Sequence, residues 1–268
     1  MKIFKAGKFT LNLSEKNYVM GILNVTPDSF SDGNKWFDIE SAVEHAVQIQ
    51  CDGADIIDIG AQSTRPGYVK ITPEEELKRL MPVLRALKGQ ISVPISVDTF
   101  YPEVAKEALN EGISIINDVN GFKNEQMIEI AAQSDCGCIV MHDGTNSQMK
   151  SFFDLQLNKM LENNISQSRI CFDPGIGFGK TYEENLEVLK NLKKYLIKGV
   201  PMLVGASRKR VIGAPCGNPP FAERMPGTIA AHTIAILNGA NIIRVHDVKE
   251  AVQAAKVADA ILKSDLEG

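Results

Sequence analysis

The chain has 268 residues, of which 44% are apolar, and a formal net charge of −4. This length suits one large core, and its scattered Lys and Arg residues give no basic face for nucleic acid or an anionic membrane. We therefore expect small-molecule partners, with no nucleic acid and no membrane. The sequence starts without a signal-like apolar run, and no segment reaches about 18 apolar residues, so we also expect a cytoplasmic protein.

Eight short runs rich in Val, Ile and Leu predict eight strands. They lie at 18–23, 54–60, 93–98, 114–118, 137–142, 169–173, 202–205 and 241–246. The runs are apolar on both faces, which is typical of parallel strands covered by helices. Between them, helical periodicity appears at 39–53, 72–87, 101–112, 124–134, 181–196 and 224–240.

This β-then-α order predicts a (β/α)8 TIM barrel formed by one domain, residues 1–268. Eight units in about 250 residues match the usual size of that fold. The first dozen residues are expected to form a hairpin that plugs the bottom of the barrel. A doubly wound open sheet is the alternative.

The segment "DPGIGFGKT" (173–181) ends like a nucleotide-binding phosphate loop. That loop requires a glycine five positions before the glycine that precedes the lysine, so that backbone N–H groups surround the phosphates. Here the position is Pro174, which has no N–H group. The segment must therefore serve another purpose.

Polar residues recur where the predicted strands end, which is where TIM barrels carry their chemistry. The residues are Asn24, Asp58, Asp98, Asn117, Asp118, His142, Asp173, Ser207, Lys209, Arg244 and His246. Buried polar groups cost free energy unless they are paired, so this ring predicts a shared ligand above the barrel. Carboxylates suit the parallel N–H groups of a nitrogen heterocycle, and the cations suit an anionic group.

Several blocks, in order along the chain, closely resemble the dihydropteroate synthase family, the folate-pathway enzymes that sulfonamides inhibit. They are "GILNVTPDSFSDG" (21–33), "GADIIDIGAQSTRPG" (53–67), "ISVDT" (95–99), "INDVNG" (116–121), "DPGIGFGKT" (173–181), "VGASRKRVIG" (204–213) and "GTIAAHTIAILNGANIIRVHDV" (227–248). The segment between His142 and Asp173 is shorter than the family pattern. We therefore expect the loop and helix of the fifth βα unit to differ from those of the family.

The resemblance implies a transferase that joins 6-hydroxymethyl-7,8-dihydropterin pyrophosphate to p-aminobenzoate, with Mg²⁺ as cofactor and a homodimer as the assembly. It implies pterin binding by Asp98, Asn117, Asp173, Lys209 and Arg244. It implies pyrophosphate binding by Asn24, Thr64, Arg65, Arg244 and His246, with Asn24 also a Mg²⁺ ligand. It implies p-aminobenzoate binding by Phe30, Thr64, Pro66, Phe178, Ser207 and Lys209.

Two alternatives remain: a silent paralogue that binds pterin without turnover, and a pterin-dependent methyltransferase barrel. We expect Asp58 and Asp118 to orient neighbours rather than to touch substrate. His142 is interpreted as a core histidine, and His232 as a packing or surface residue.

Overall fold

The structure, a computed structural model, describes residues 2–25, 35–62 and 69–264, with side chains of 35–38 excepted. In this part of the chain the strands are β1 (Ile3–Ala6), β2 (Phe9–Asn12), β3 (Tyr18–Asn24), β4 (Ile56–Gly60), β5 (Ile95–Asp98), β6 (Ile115–Asp118), β7 (Gly137–Met141), β8 (Ile170–Asp173), β9 (Leu203–Val204) and β10 (Ile242–Val245). The α-helices are α1 (Lys35–Cys51), α2 (Pro73–Leu87), α3 (Pro102–Asn110), α4 (Glu125–Ala132), α5 (Asn146–Glu162), α6 (Tyr182–Lys190), α7 (Arg210–Gly213), α8 (Met225–Leu237) and α9 (Val248–Lys263).

Strands β3 to β10 form one parallel sheet in the order β8-β7-β6-β5-β4-β3-β10-β9. A parallel bridge between Phe172 and Met202 brings the two end strands, β8 and β9, together. Each strand therefore neighbours the next one along the chain, and the sheet closes on itself. The predicted (β/α)8 barrel is confirmed, and the open sheet is not formed.

The predicted N-terminal hairpin is also confirmed. Strands β1 and β2 pair antiparallel, from Ile3 opposite Asn12 to Ala6 opposite Phe9. Gly7, with φ 57°, lies in the turn between them, where a left-handed conformation suits glycine. The hairpin closes the amino end of the barrel, and its apolar side chains pack with inward residues of seven barrel strands. The apolar cluster is Phe4, Ala6, Leu11, Leu13, Tyr18, Met20, Ile56, Ile115, Ile139, Cys171, Leu203 and Ile242.

Side chains alternate between the two faces of a strand, so residues two apart point the same way. Several barrel strands carry an apolar residue toward the amino end and a polar residue two positions later. On β10, Ile242 belongs to the apolar cluster whereas Arg244 lines a cavity, and β6 does the same with Ile115 and Asn117. A residue of the apolar cluster and a residue of the cavity lining are therefore only two positions apart on these strands.

All six predicted helices form, and several begin with a side-chain cap. The Thr72 side chain accepts a hydrogen bond from the Glu75 N–H, and Thr181 and Glu184 form a reciprocal capping box. These bonds satisfy N–H groups that the first turn leaves without partners.

Three helices were absent from the sequence-based prediction: α5, α7 and α9. Helix α5 buries Met149, Phe153, Gln156 and Met160, a stripe at helical spacing diluted by polar residues. Helix α9 buries Val248 and three alanines, so its periodicity lacks large apolar side chains. The short fifth unit therefore still contains a helix of 17 residues.

Candidate active site

A cavity of about 700 Å³ opens at the carboxyl ends of the barrel strands. Nine of the predicted site residues line it: Asn24, Asp98, Asn117, Asp173, Phe178, Ser207, Lys209, Arg244 and His246. The other four, Phe30, Thr64, Arg65 and Pro66, lie outside the described residues. Residues from both ends of the sequence, such as Asn24 and His246, thus line the same cavity.

Arg244, on β10, joins the carboxylates of two other strands. Its Nε donates to Asp58 Oδ2 at 2.7 Å and its Nη2 to Asp98 Oδ2 at 3.0 Å. Asn117 Nδ2 also donates to Asp58 Oδ2, at 3.1 Å. Asp58 is fully buried, so one carboxylate orients both the guanidinium and the amide.

The surroundings shift the pKa values of Asp98 and Arg244. Burial raises the pKa of Asp98 to about 7, although Arg244 opposes the change. Burial also works against the charge of Arg244, but Asp58 and Asp98 outweigh it and hold the guanidinium pKa above its usual value. Arg244 is therefore a permanent cation, whereas Asp98 changes charge near neutrality.

Asp173 and Lys209 form the other side of the cavity. Asp173 Oδ1 accepts a hydrogen bond from the Gly175 N–H at 2.8 Å, and Lys209 Nζ donates to the Ile176 carbonyl at 2.6 Å. Burial raises the pKa of Asp173, an effect that Lys209 reduces. Burial lowers the pKa of Lys209 to about 8, against the attraction of Asp173. Lys209 Nζ also lies 4.7 Å from the ring centroid of Phe178, within cation–π range.

Ser207 and His246 meet where β9 and β10 end. Ser207 Oγ lies 2.9 Å from His246 Nδ1 and accepts a hydrogen bond from the His246 N–H at 3.1 Å. The Phe221 ring packs edge-on against the imidazole, with 5.2 Å between centroids. These contacts fix the imidazole in the lining of the cavity, to which Arg244 and Asn24 also belong.

Asn24, the last residue of β3, lines the cavity and offers an amide oxygen, a type of ligand that Mg²⁺ accepts. No group of three His, Cys, Asp or Glu side chains arranged around a metal occurs in the residues for which placement is given. Mg²⁺ in phosphate-transfer sites is held by one or two protein oxygen ligands, usually carboxylates, together with substrate phosphates, and the Asn24 amide oxygen offers one oxygen of that kind.

Sequence reasoning did not include several residues in or next to the site. Asp58 was expected only to orient neighbours, and its contacts with Arg244 and Asn117 agree with that role. Lys180 lines the cavity, precedes the Thr181 cap of α6 and donates a hydrogen bond to the Phe178 carbonyl of its own loop. Arg208 lines the cavity and is paired with Asp247. The strand-end position of Asp58 was a usable signal, whereas the Lys180 and Arg208 contacts depend on loop geometry.

The two histidines interpreted as structural are buried. His142 packs against Phe152 and Phe153, and burial lowers its pKa to about 4. His232, on α8, accepts a hydrogen bond from the Ala206 N–H at 3.1 Å through Nε2. It therefore supports the loop that carries Ser207 and Lys209.

A closed parallel barrel with a charged cavity at its carboxyl ends defines the class: a (β/α)8-barrel enzyme acting on a small polar molecule. The family model described as "Pterin binding enzyme" matches residues 20–246. Dihydropteroate synthase of Clostridium beijerinckii is 43% identical, with 97% of this chain and 99% of the relative covered. That of Bacillus subtilis is 42% identical, with 94% and 91% covered.

Solved structures agree. Dihydropteroate synthase from Clostridium difficile, determined in the presence of pteroic acid, has a TM-score of 0.90 and 41% identity, covering 97% of this chain and 100% of that one. The Xanthomonas albilineans enzyme with 4-aminobenzoic acid has a TM-score of 0.90 and 38% identity, covering 96% of each chain. The chain belongs to the dihydropteroate synthase family of pterin-binding enzymes, which are transferases. These matches give no support to a silent paralogue or a methyltransferase.

Proposed function

We propose that the cavity condenses 6-hydroxymethyl-7,8-dihydropterin pyrophosphate with p-aminobenzoate to give 7,8-dihydropteroate and pyrophosphate. The observation that carries this proposal is the grouping of two largely buried carboxylates, Asp98 and Asp173, with Lys209 and Arg244 in one cavity. The names of the relatives, including those solved with pteroic acid and 4-aminobenzoic acid, point to the same chemistry.

The pterin ring is held by groups that match its edges. Asp98 and Asp173 accept hydrogen bonds from ring and exocyclic N–H groups, and the Asn117 amide adds a donor and an acceptor. Lys209 donates to the ring carbonyl. The four side chains come from four different strands or strand ends, so the barrel fixes their spacing before the substrate arrives.

The pyrophosphate lies toward Arg244, His246 and Asn24, with Thr64 and Arg65 as further ligands. Hydrogen bonds among the described residues use two of the five guanidinium N–H groups of Arg244, so three can donate to phosphate oxygens. Asn24 would hold Mg²⁺, which would supply charge neutralisation of the leaving pyrophosphate.

The reaction exchanges a C–O bond for a C–N bond. The bond between the pterin methylene carbon and pyrophosphate breaks, and its electron pair leaves with the pyrophosphate. The positive charge that develops on the pterin is stabilised by Asp98 and Asp173. The amine of p-aminobenzoate then donates its lone pair to the methylene carbon and loses a proton. No nucleophile from the protein is needed.

The p-aminobenzoate ring packs against Phe178 beside Ser207 and Lys209, with Phe30, Thr64 and Pro66 completing the pocket. The contact between Lys209 and the Phe178 ring supports this arrangement, because an aromatic face and a cation lie together near Asp173, a carboxylate proposed to bind the pterin. The second substrate therefore lies beside the carbon that it attacks.

A homodimer is proposed as the assembly, with the surface of α8 and α9 as the interface. Five of the exposed large apolar side chains lie on these two adjacent helices: Ile234, Leu237, Val257, Ile261 and Leu262. Exposed apolar groups gathered in this way mark interaction surfaces. Sedimentation of Val257→Asp with Ile261→Asp should give a monomer, whereas the exposed charge change Lys106→Asp on α3 should leave a dimer.

A cytoplasmic location is proposed because all five cysteines are free, as expected in a reducing compartment. Separately, no helix among the residues described is both long and apolar enough to cross a bilayer.

The direct test of the function incubates the protein with the pterin pyrophosphate, p-aminobenzoate and Mg²⁺, and follows pyrophosphate and dihydropteroate together by chromatography. Equal amounts of the two products, dependent on each substrate, are expected. Pterin binding without either product would overturn the proposal. Omission of Mg²⁺ with excess chelator tests the cofactor, and undiminished turnover under that condition would remove it.

A further inference from the structure

The loop that follows β8 is folded tightly against the loop that follows β7. Gly175, Gly177 and Gly179 have φ values of 66°, 84° and 58°, so the chain turns repeatedly. A Cβ atom on Gly175 would lie 2.1 Å from the His142 carbonyl oxygen, and one on Gly179 would lie 2.7 Å from the Gly144 nitrogen. The close approach leaves several carbonyl groups facing inward, toward one point.

Lys180 occupies that point. Its Nζ lies 3.3 Å from the carbonyl oxygens of His142 and of Gly175, and 3.2 Å from that of Phe178. His142 Nδ1 lies 3.4 Å away, and burial together with Lys180 keeps that imidazole neutral and able to accept a hydrogen bond. An ammonium has three N–H groups, so one side chain satisfies acceptors from both loops.

The groups that Lys180 binds also carry proposed substrate contacts. The Phe178 carbonyl is held by Lys180, while the Phe178 ring faces Lys209 Nζ inside the cavity. The Gly175 carbonyl is held in the same way, while the Gly175 N–H donates to Asp173. Lys180 itself lines the same cavity. One ammonium therefore links the loop backbone to the ring and carboxylate on which the reaction depends.

We propose that Lys180 is a positioning residue, which holds the loop after β8 against the end of β7 and so sets the Phe178 ring for p-aminobenzoate. This inference rests on the proposed function for its kinetic consequence. Asp173 lies on β8 and keeps its place through strand pairing with β7, whereas Phe178 depends on the loop alone. The effect of losing Lys180 therefore falls more on p-aminobenzoate than on the pterin substrate.

The test compares Lys180→Met with Lys190→Met, which makes the same chemical change at an exposed position late in α6. Loss of a charged hydrogen-bond donor should raise the KM for p-aminobenzoate about tenfold in Lys180→Met, with a smaller change in the KM for the pterin pyrophosphate. Lys190→Met should match the wild type in both values.

Chemical rescue separates the ammonium from general packing. Lys180→Cys treated with 2-bromoethylamine regains an ammonium at nearly the original length, and its KM for p-aminobenzoate should return toward the wild-type value. The wild type treated in the same way controls for alkylation of Cys51 and Cys216, which are exposed. No recovery in the treated variant would contradict a role for the charge.

Hydrogen exchange gives a readout that does not depend on turnover. The Gly175 N–H is bonded to Asp173, and the Phe178 N–H to the Gly175 carbonyl at 3.1 Å. Both amides should exchange faster in Lys180→Met than in Lys190→Met. Unchanged exchange, or an equal rise in both KM values with a lower melting temperature, would overturn the inference. A wild type that forms no product would instead overturn the proposed function, and the exchange result would still decide the role of Lys180.

Discussion

The two ends of the barrel are built by the same strands from different side chains. At the amino end, the hairpin and inward apolar residues such as Phe4, Met20 and Ile242 exclude water. At the carboxyl end, the next inward residues include Asp98, Asp173 and Arg244, whose charges lie around a cavity. Residues that stabilise the fold and residues that line the cavity therefore lie only two positions apart on a strand. We expect that substitutions can alter stability and activity independently.

The largest effect is expected at the carboxyl end. Lys209→Ala removes the cation between Asp173 and the Phe178 ring, so kcat should fall roughly 1000-fold, as when a preorganised electrostatic group is lost. The fold should persist, because the apolar end is untouched. Asp173→Ala should behave similarly. Turnover with both substrates is the measurement, and circular dichroism melting is the control. Turnover and pterin affinity retained in both variants would contradict the site assignment.

The matching change at the amino end is Phe4→Ala. Phe4 is fully buried, so its loss should reduce the free energy of unfolding by about 3–5 kcal/mol through lost burial and a cavity. Both KM values should remain those of the wild type at temperatures where the variant is folded. Urea unfolding measures the first effect. A changed KM in fully folded protein would show that the two ends are coupled.

Asp58→Asn tests the residue that reasoning from the sequence left out of the site. Arg244 loses a charged partner, and hydrogen bonds to charged groups contribute about 1.5–3 kcal/mol, so kcat/KM should fall roughly 10- to 100-fold. Asp55→Asn is the matched control, because Asp55 pairs with Lys16 at the amino end. Equal kcat/KM values in the two variants would remove the orienting role of Asp58.

The pH dependence should reflect the buried charges of the cavity. The pKa of Asp98 is raised to about 7, so below that pH the carboxyl is protonated and accepts fewer pterin N–H bonds. The pKa of Lys209 is lowered to about 8, so its charge is lost at higher pH. The kcat/KM for the pterin pyrophosphate should peak between these values and fall about tenfold per unit on each side. Asp98→Asn should remove the acid limb, and an acid limb that survives in this variant would assign it elsewhere.

The smallest effect is expected at a helix cap outside both ends. Thr72→Ala removes the acceptor for the Glu75 N–H and should cost about 1 kcal/mol of unfolding free energy, with kcat unchanged. Thr72→Ser should restore most of the stability. A loss of activity in Thr72→Ala at full folding would show that the start of α2 also positions the site.

The sequence predicted the barrel because eight apolar runs and their order are local signals. It missed α9 because a stripe of alanines carries little periodicity, and α5 because polar residues dilute its stripe. The polar residues at the strand ends could be predicted too, because each of them lies at or just after the end of an apolar run in the sequence. The contact of Asp58 with Arg244, 186 residues later, depends on closure of the barrel. The hydrogen bonds of Lys180 to three carbonyl oxygens depend on loop geometry. No local sequence pattern contains either kind of information.

The bridge between Phe172 and Met202 is the join between β8 and β9, and β9 has only two residues. Few backbone hydrogen bonds therefore cross this seam, and it lies directly below Asp173 on one side and the Lys209 loop on the other. In the proposed binding mode, a pterin that contacts both side chains would span this seam. Bound substrate would thus stabilise the pairing of β8 with β9, and closure of the barrel at this point would in turn favour substrate binding.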